Sequence, residues 1–264
     1  MTRYADDLAL AHVLADTADS IAMARFRAQD LRVTAKPDLT PVTDADTAVE
    51  KALRATLSRT RPRDGVLGEE YGASVAAAGP SQRQWVIDPI DGTKNFVRGV
   101  PIWATLVALM DGNEPVVGMV SAPALNRRWW AAKGLGAYAG RHTSTASAIH
   151  VSGVGRLPDA SFCYSSLNGW EQAGRLDAIL EITRRAWRSR AYGDFYGYML
   201  VAEGAVDVMV EPELSLWDLA ALVPIVTEAG GTFTDLGGRP GPGGGSAVAT
   251  NGKLHTEIID RLSA

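Results

Sequence analysis

A chain of 264 residues, 46% hydrophobic and 21% charged, is long enough for one large domain or two layered subdomains with substantial cores. Its 26 basic and 30 acidic residues give a formal charge of −4, which leaves no basic footprint for nucleic acid or an anionic membrane surface. The single cysteine, Cys163, excludes an internal disulfide and fits a reducing compartment.

In chain order, the first stretch carries Asp6, Asp7 and Asp16 and lacks the basic-then-apolar layout of a secretory signal. No apolar run approaches the length of a membrane span, so a cytoplasmic enzyme is expected. Residues 4 to about 27 place Leu10, Leu14 and Ile21 on one stripe with charges between them, which predicts an amphipathic helix. Lys36-Pro37-Asp38-Leu39-Thr40-Pro41 breaks regularity. Thr43 and Asp46 then stand at capping-box spacing, with Val49, Leu53 and Leu57 recurring every fourth residue, so a second helix follows. Acids in its first turn, Asp44 and Asp46, complement the helix dipole whatever the function. Val66-Leu67 reads as a strand ending at Gly68-Glu69-Glu70, carboxylates that are equally at home as solvated surface.

The stretch Trp85-Val86-Ile87-Asp88-Pro89-Ile90-Asp91-Gly92-Thr93-Lys94-Asn95-Phe96 is an apolar run that stops at two carboxylates and a glycine. It predicts a strand delivering acids to a turn stiffened by Pro89, with both carboxylates facing one point. A hard cation such as Mg²⁺ is the simplest neutraliser of such a pair. Gly92-Thr93 would open a helix whose free N–H groups hold an anion beside the metal. The plain alternative is a surface turn that binds nothing, since Asp-Pro and Asp-Gly pairs are common there.

Residues 103–110 alternate in strand fashion, Asp111-Gly112 is a hairpin signal before residues 115–122, and residues 129–133 suggest a further strand. The first half, residues 1–145, therefore reads as an α+β subdomain with helices on a mostly antiparallel sheet. The Ser/Thr-rich residues 141–150 mark the boundary. Residues 146–264 alternate strand-like pieces (160–164, 191–192, 206–210, 232–234) with helix-like ones (176–185, 195–203, 216–229, 254–262), an α/β half with a partly parallel sheet. Residues 237–245 are rich in glycine but lack phosphate-loop and dinucleotide spacings, so they read as a flexible turn between strands. Asp218, after Trp217, opens an apolar helix where an acid is expected for structural reasons alone. Glu69, Asp88, Asp91 and Asp218 nonetheless share one property. Each lies at an element end, where sheet-based folds place ligand sites.

Three separated signatures then carry a resemblance. Gly68-Glu69-Glu70, Asp88-Pro89-Ile90-Asp91-Gly92-Thr93-Lys94-Asn95-Phe96, and Trp217-Asp218 with Glu228-Ala229-Gly230-Gly231 occur in order, and the chain resembles the inositol monophosphatase superfamily of Mg²⁺-dependent phosphomonoesterases over nearly its whole length. The resemblance implies a layered αβαβα sandwich of the inositol monophosphatase and sugar phosphatase type, a homodimer, and two to three Mg²⁺ ions per site. Glu69, Asp88 and the Ile90 carbonyl would hold a first ion, Asp88, Asp91 and Asp218 a second, and Asp46 would help hold a third. Thr93 with Glu69 would orient and deprotonate the attacking water, and the Gly92 and Thr93 N–H groups would take phosphate oxygens. The two residues between Asp88 and Asp91 separate this motif from that of the haloacid-dehalogenase phosphatases, where a single residue intervenes and the first acid attacks phosphorus.

The choice of alcohol falls to the second half, because the metal site sees only phosphate. Arg190-Ala191-Tyr192-Gly193-Asp194-Phe195-Tyr196-Gly197-Tyr198 replaces the small residues usual in inositol phosphatases with an acid and aromatics. Glu211 aligns with a glutamate that in the family contacts the non-phosphate part of the substrate. Arg190, Asp194 and Glu211 are thus expected substrate residues, and a negative, partly aromatic pocket suits an ammonium or imidazolium group. The pattern resembles the histidinol-phosphate phosphatase branch, which implies hydrolysis of L-histidinol phosphate in histidine biosynthesis. The alternatives are an inositol-1-phosphate or related small sugar or nucleotide phosphatase and, from another class, a non-enzymatic Mg²⁺- or anion-binding regulator. Asp194 also has a plain reading, as the cap of the helix that begins near Phe195.

Overall fold

The computed structural model describes residues 3–37, 39–74 and 81–263; Asp38, in the expected break, lies outside them. Helices Ala5–Arg25 and Asp44–Thr60 pack side by side. Their buried stripes include Leu10 and Leu14 on the first helix and Val49, Leu53 and Leu57 on the second, because residues four apart share a helix face. Both lie on one face of a sheet that, among the described residues, has eight strands. Its spatial order is Ser147–Ala148, Ala137–Gly140, Arg127–Ala132, Glu114–Ala122, Ala104–Asp111, Arg83–Asp91, Gly65–Gly68 and Gly72–Ser74. Only Gly65–Gly68 against Arg83–Asp91 is a parallel pair.

The second sheet has five strands among the described residues, in the order Arg188–Arg190, Ser161–Tyr164, Val208–Glu211, Ala247–Thr250 and Thr232–Thr234. The first three run parallel and the last two are joined antiparallel. Helices Asp194–Ala202 and Leu222–Glu228 fill the layer between the sheets, in a core that includes Val120 and Trp129 on one side and Met209 and Ala249 on the other. Helices Leu176–Arg185 and His255–Ser263 cover the outer face of the second sheet through Ile179, Ile182, Ile258 and Leu262. The result is the layered αβαβα sandwich.

The helix expected over residues 216–229 is two pieces, Leu216–Leu219 and Leu222–Glu228. Pro224 explains the break: it has no N–H to donate and its ring opposes the carbonyl four residues earlier, so it is tolerated only in a first turn. The second piece lies so close to the first sheet that a Cβ on Gly118 would collide with the Ala221 carbonyl oxygen. The strand placed at Ala191-Tyr192 lies at Arg188–Arg190. The glycine-rich run does join two strands, yet it is organised: Asp235 accepts hydrogen bonds from the Gly237 and Arg239 N–H groups at 2.8 Å each.

Candidate metal and substrate site

The strand Arg83–Asp91 carries the first two acids, and it pairs regularly with Ala104–Asp111 down to Asp88 before the register slips between Asp88 and Asp91. Pro89 cannot donate to the ladder, so the feature expected as a turn is a bulge at the strand end. The Thr105 hydroxyl donates to the Pro89 carbonyl at 2.8 Å. On a regular strand, residues three apart face opposite sides of the sheet. The bulge removes that alternation and brings Asp88 and Asp91 to one side. The chain then turns at Gly92, whose φ of 81° is left-handed and suits only a residue without Cβ, and the short helix Thr93–Val97 begins.

Asp218 arrives from the other half, third in the helix capped by Ser215, and its Oδ2 accepts the Ser215 N–H at 2.7 Å. Oxygens of Asp88, Asp91 and Asp218 lie within 4.8 Å of one another. Asp88 Oδ1 is buried and has no hydrogen-bond partner among the described residues. Burial, then the charges of Glu69, Asp91 and Asp218, push Asp88 well above the usual carboxylate range. Asp91 is raised by burial and by Asp194 and Asp218, and burial lifts Asp218 to about 6 against the Ser215 N–H, which lowers it. Three crowded acids, one with an orphaned oxygen, match the donor set of a hard cation.

Asp46, at the start of helix Asp44–Thr60, and Glu69, just after strand Gly65–Gly68, lie beside this cluster. Asp46 completes the expected capping box, with its Oδ2 accepting from the Thr43 N–H at 2.8 Å and the Thr43 hydroxyl at 2.5 Å. Its Oδ1 takes the Thr93 hydroxyl at 3.5 Å, while that hydroxyl also donates to the Ile90 carbonyl at 2.9 Å. The cap and the site therefore use different oxygens of one carboxylate. Burial raises Asp46 to about 6, although its bonds to Thr43 pull the other way. Glu69 Oε1 accepts from the Lys36 ammonium at 2.6 Å, and Glu70 Oε1 does so at 2.7 Å. Burial would lower Lys36, but those two bonds raise it. A cation thus already faces Glu69, a contact that the sequence reading did not include.

Glu50 was also missed. Its Oε2 accepts the Glu70 N–H at 2.8 Å and its Oε1 the Tyr71 N–H at 3.2 Å, which fixes the turn that presents Glu69. A Cβ on Gly68 would collide with this carboxylate. The available signal was a charged residue on the buried stripe of its helix, four residues after Asp46 and beside Val49; such a residue is buried only when paired.

Next to the acids lies a cavity of about 240 Å³ lined by Asp91, Asp194, Phe195, Tyr198, Glu211, Glu213, Leu214, Asp218 and Leu222. The Phe195 N–H donates to Asp91 Oδ2 at 2.7 Å, so the segment that carries Asp194 is fastened to a candidate metal ligand. Glu211, at the end of its strand and 6% exposed, accepts the Tyr198 hydroxyl at 2.7 Å. Burial raises Glu211 well above its ordinary value; Tyr198 lowers it, and Asp194 and Asp218 raise it further. Asp194 is raised by burial and lowered by Lys94. Arg190 is not brought to this cavity: its guanidinium donates to the Ser189 carbonyl at 2.7 Å on the edge strand. A larger groove, about 680 Å³, lies elsewhere among residues such as Arg61, Arg83, Asp7 and Asp64. Those four are bonded to one another.

The model of the inositol monophosphatase family matches residues 5–264. The chain belongs to this family. A histidinol-phosphatase from Streptomyces coelicolor is 62% identical over 267 residues, covering 100% of this chain and 99% of that protein. A histidinol-phosphatase from Mycobacterium tuberculosis is 58% identical, covering 98% of each. The solved structure of an inositol monophosphatase from Zymomonas mobilis superposes with a TM-score of 0.87 at 33% identity, covering 100% of both chains. Inositol monophosphatases are metal-dependent, and the cluster of Asp88, Asp91 and Asp218 supplies carboxylates that could hold a metal.

Proposed function

We propose that the chain is a Mg²⁺-dependent phosphomonoesterase that hydrolyses L-histidinol phosphate to L-histidinol and phosphate, a step of histidine biosynthesis. The observation that carries the substrate is the acidic wall of Asp194 and Glu211, in one cavity with Asp91 and Asp218. An amine and an imidazole are the counter-charges that such a wall favours. The two histidinol-phosphatase relatives, similar over nearly their full lengths, support the same substrate.

Asp88, Asp91 and Asp218 would hold one ion, with Glu69 and the Ile90 carbonyl completing another around Asp88 and Asp46 contributing to a third. When bound, Mg²⁺ supplies Lewis-acid chemistry, activating water and neutralising charge on the phosphate oxygens. Thr93 and Glu69 orient the attacking water, and Glu69 accepts its proton. The water oxygen forms the new bond to phosphorus as the ester P–O bond breaks; the departing alkoxide takes a proton from solvent water and leaves as the alcohol, while the proton held by Glu69 returns to solvent. The Gly92 and Thr93 N–H groups bind phosphate oxygens. Asp194 and Glu211 hold the cationic part of the alcohol and so orient the ester. Two to three ions, a homodimer and a cytoplasmic setting belong to the same proposal; among the described residues no helix is long and apolar enough to cross a membrane.

The deciding experiment compares kcat/KM on L-histidinol phosphate and inositol 1-phosphate with saturating Mg²⁺. Histidinol phosphate is expected to be preferred by about 100-fold or more, as when two charge-assisted bonds are made to one substrate alone. Preference for inositol phosphate would overturn the assignment. Asp194→Ala is expected to raise KM for histidinol phosphate about 10- to 100-fold, the loss of one bond to a charged group. A neutral ester such as glycerol 2-phosphate should be affected much less. The sequence's other reading, Asp194 as the cap of this helix, does not hold, since the N-cap is Gly193 and no side chain caps the helix; equal effects on both esters would leave Asp194 without a recognition role.

A further inference from the structure

Asp194 is held in an unusual way. It follows Gly193 at the start of helix Asp194–Ala202, and its φ is +48°, a left-handed conformation that residues with a Cβ rarely adopt and that persists only where the surroundings enforce it. Two bonds from the central segment do so. One is the Phe195 N–H to Asp91 Oδ2 bond at 2.7 Å. The other comes from Asn95, whose Nδ2 donates to Asp194 Oδ2 at 3.2 Å and to the Ile102 carbonyl at 2.9 Å. A backbone carbonyl can only accept, so the amide nitrogen must face this pair, which fixes the orientation of the Asn95 side chain.

Asn95 does not line the cavity, whereas Asp194 does. Its second acceptor lies on residue 102, just before the strand Ala104–Asp111 that pairs with the acid-bearing strand. The amide therefore ties Asp194 to the same frame that carries Asp88 and Asp91. One of the two Asp194 oxygens is occupied from behind, and the carboxylate keeps capacity for a partner inside the cavity. We propose that Asn95 is a positioning residue for substrate selection: by anchoring Asp194 to the acid-bearing frame, it fixes the distance between the bound phosphate and the cationic group of the alcohol. The proposal rests on Asp194 being a substrate ligand, as argued above.

The test is a double-mutant cycle of Asn95→Ala and Asp194→Ala, read as the ratio of kcat/KM for L-histidinol phosphate to that for glycerol 2-phosphate. Asn95→Ala is expected to lower the ratio about tenfold, through KM for histidinol phosphate, the size of one lost bond to a charged group. In the Asp194→Ala background it should lower the ratio no further, because the group through which it acts is gone. Additive losses, or a fall in kcat on both esters with no change in the ratio, would overturn the proposal. If Asp194→Ala lowers the ratio and Asn95→Ala does not, only the role of Asn95 is refuted. If Asp194→Ala leaves the ratio unchanged, the recognition role of Asp194 falls and this proposal with it. Should Asn95→Ala not fold, Asn95→Asp keeps the shape, loses both donors and sets a like charge against Asp194. Its ratio is expected to fall at least as far, and an unchanged ratio would refute the proposal.

Discussion

Asp91→Asn is expected to lower kcat/KM on every phosphate ester by about 10³-fold, the effect of losing roughly 4 kcal/mol of transition-state stabilisation. The substitution keeps the shape of the side chain and an oxygen for the Phe195 N–H, which now donates to Asp91 Oδ2. What it removes is one negative charge from a crowded group of three, of which Asp88 is buried and the other two half-buried. In metal-free protein that charge is unfavourable, since burial and then Asp194 and Asp218 raise Asp91 far above its ordinary value. The metal-free variant should therefore melt no lower than metal-free wild type, while binding Mg²⁺ more weakly. A folded, inactive protein separates loss of a ligand from loss of the fold. A variant that kept more than about a tenth of wild-type activity, less than a 1.4 kcal/mol effect, would remove Asp91 from the metal site.

The acids of the site were legible because each follows a strong local signal. Pro89 and Gly92 punctuate the strand after Trp85, the spacing of Thr43 and Asp46 marks a capping box, and Trp217-Asp218 precedes an apolar run. Asp46 and Asp218 also explain why their plain and functional readings were hard to separate. In both, one oxygen caps the helix, and the cap itself aims the rest of the carboxylate at the site. What was not legible depends on contacts between distant segments. Asn95 meets Asp194, Tyr198 meets Glu211, and Lys36 meets Glu69 and Glu70, and no local periodicity encodes such pairs. Arg190 is expected near the substrate only through the family resemblance of residues 190–198, and the edge strand turns its guanidinium to Ser189. The short strand Ala247–Thr250 was hidden behind the glycine-rich run, since four residues are too few for an alternating pattern to show.

The same crowding of acids predicts how metal and pH act on stability. Asp46 and Asp218 have ordinary values of 3.8 and stand at about 6, and Glu70 has an ordinary value of 4.5 and stands at about 7, in each case first because of burial. A carboxylate raised on folding holds its proton longer in the folded state than in the unfolded one. Its contribution to stability is full below about pH 4 and is lost as pH rises through about 6 to 7. Two imidazoles oppose this: burial lowers His12 and His255, so their contribution is lost as pH falls below about 6.5. With more carboxylates than imidazoles shifted, metal-free protein is expected to melt lower at about pH 8 than at about pH 6. Mg²⁺ competes with those protons, so its stabilising effect should grow over the same interval. At a concentration about 100 times its Kd it adds roughly 2.7 kcal/mol, a Tm increase of about 5 to 10 °C for a chain of this size. Thermal melts with EDTA and with Mg²⁺ across that range check both signs. A Mg²⁺ shift of equal size at both ends, or one undiminished in Asp91→Asn, would mean that these carboxylates do not hold the ion.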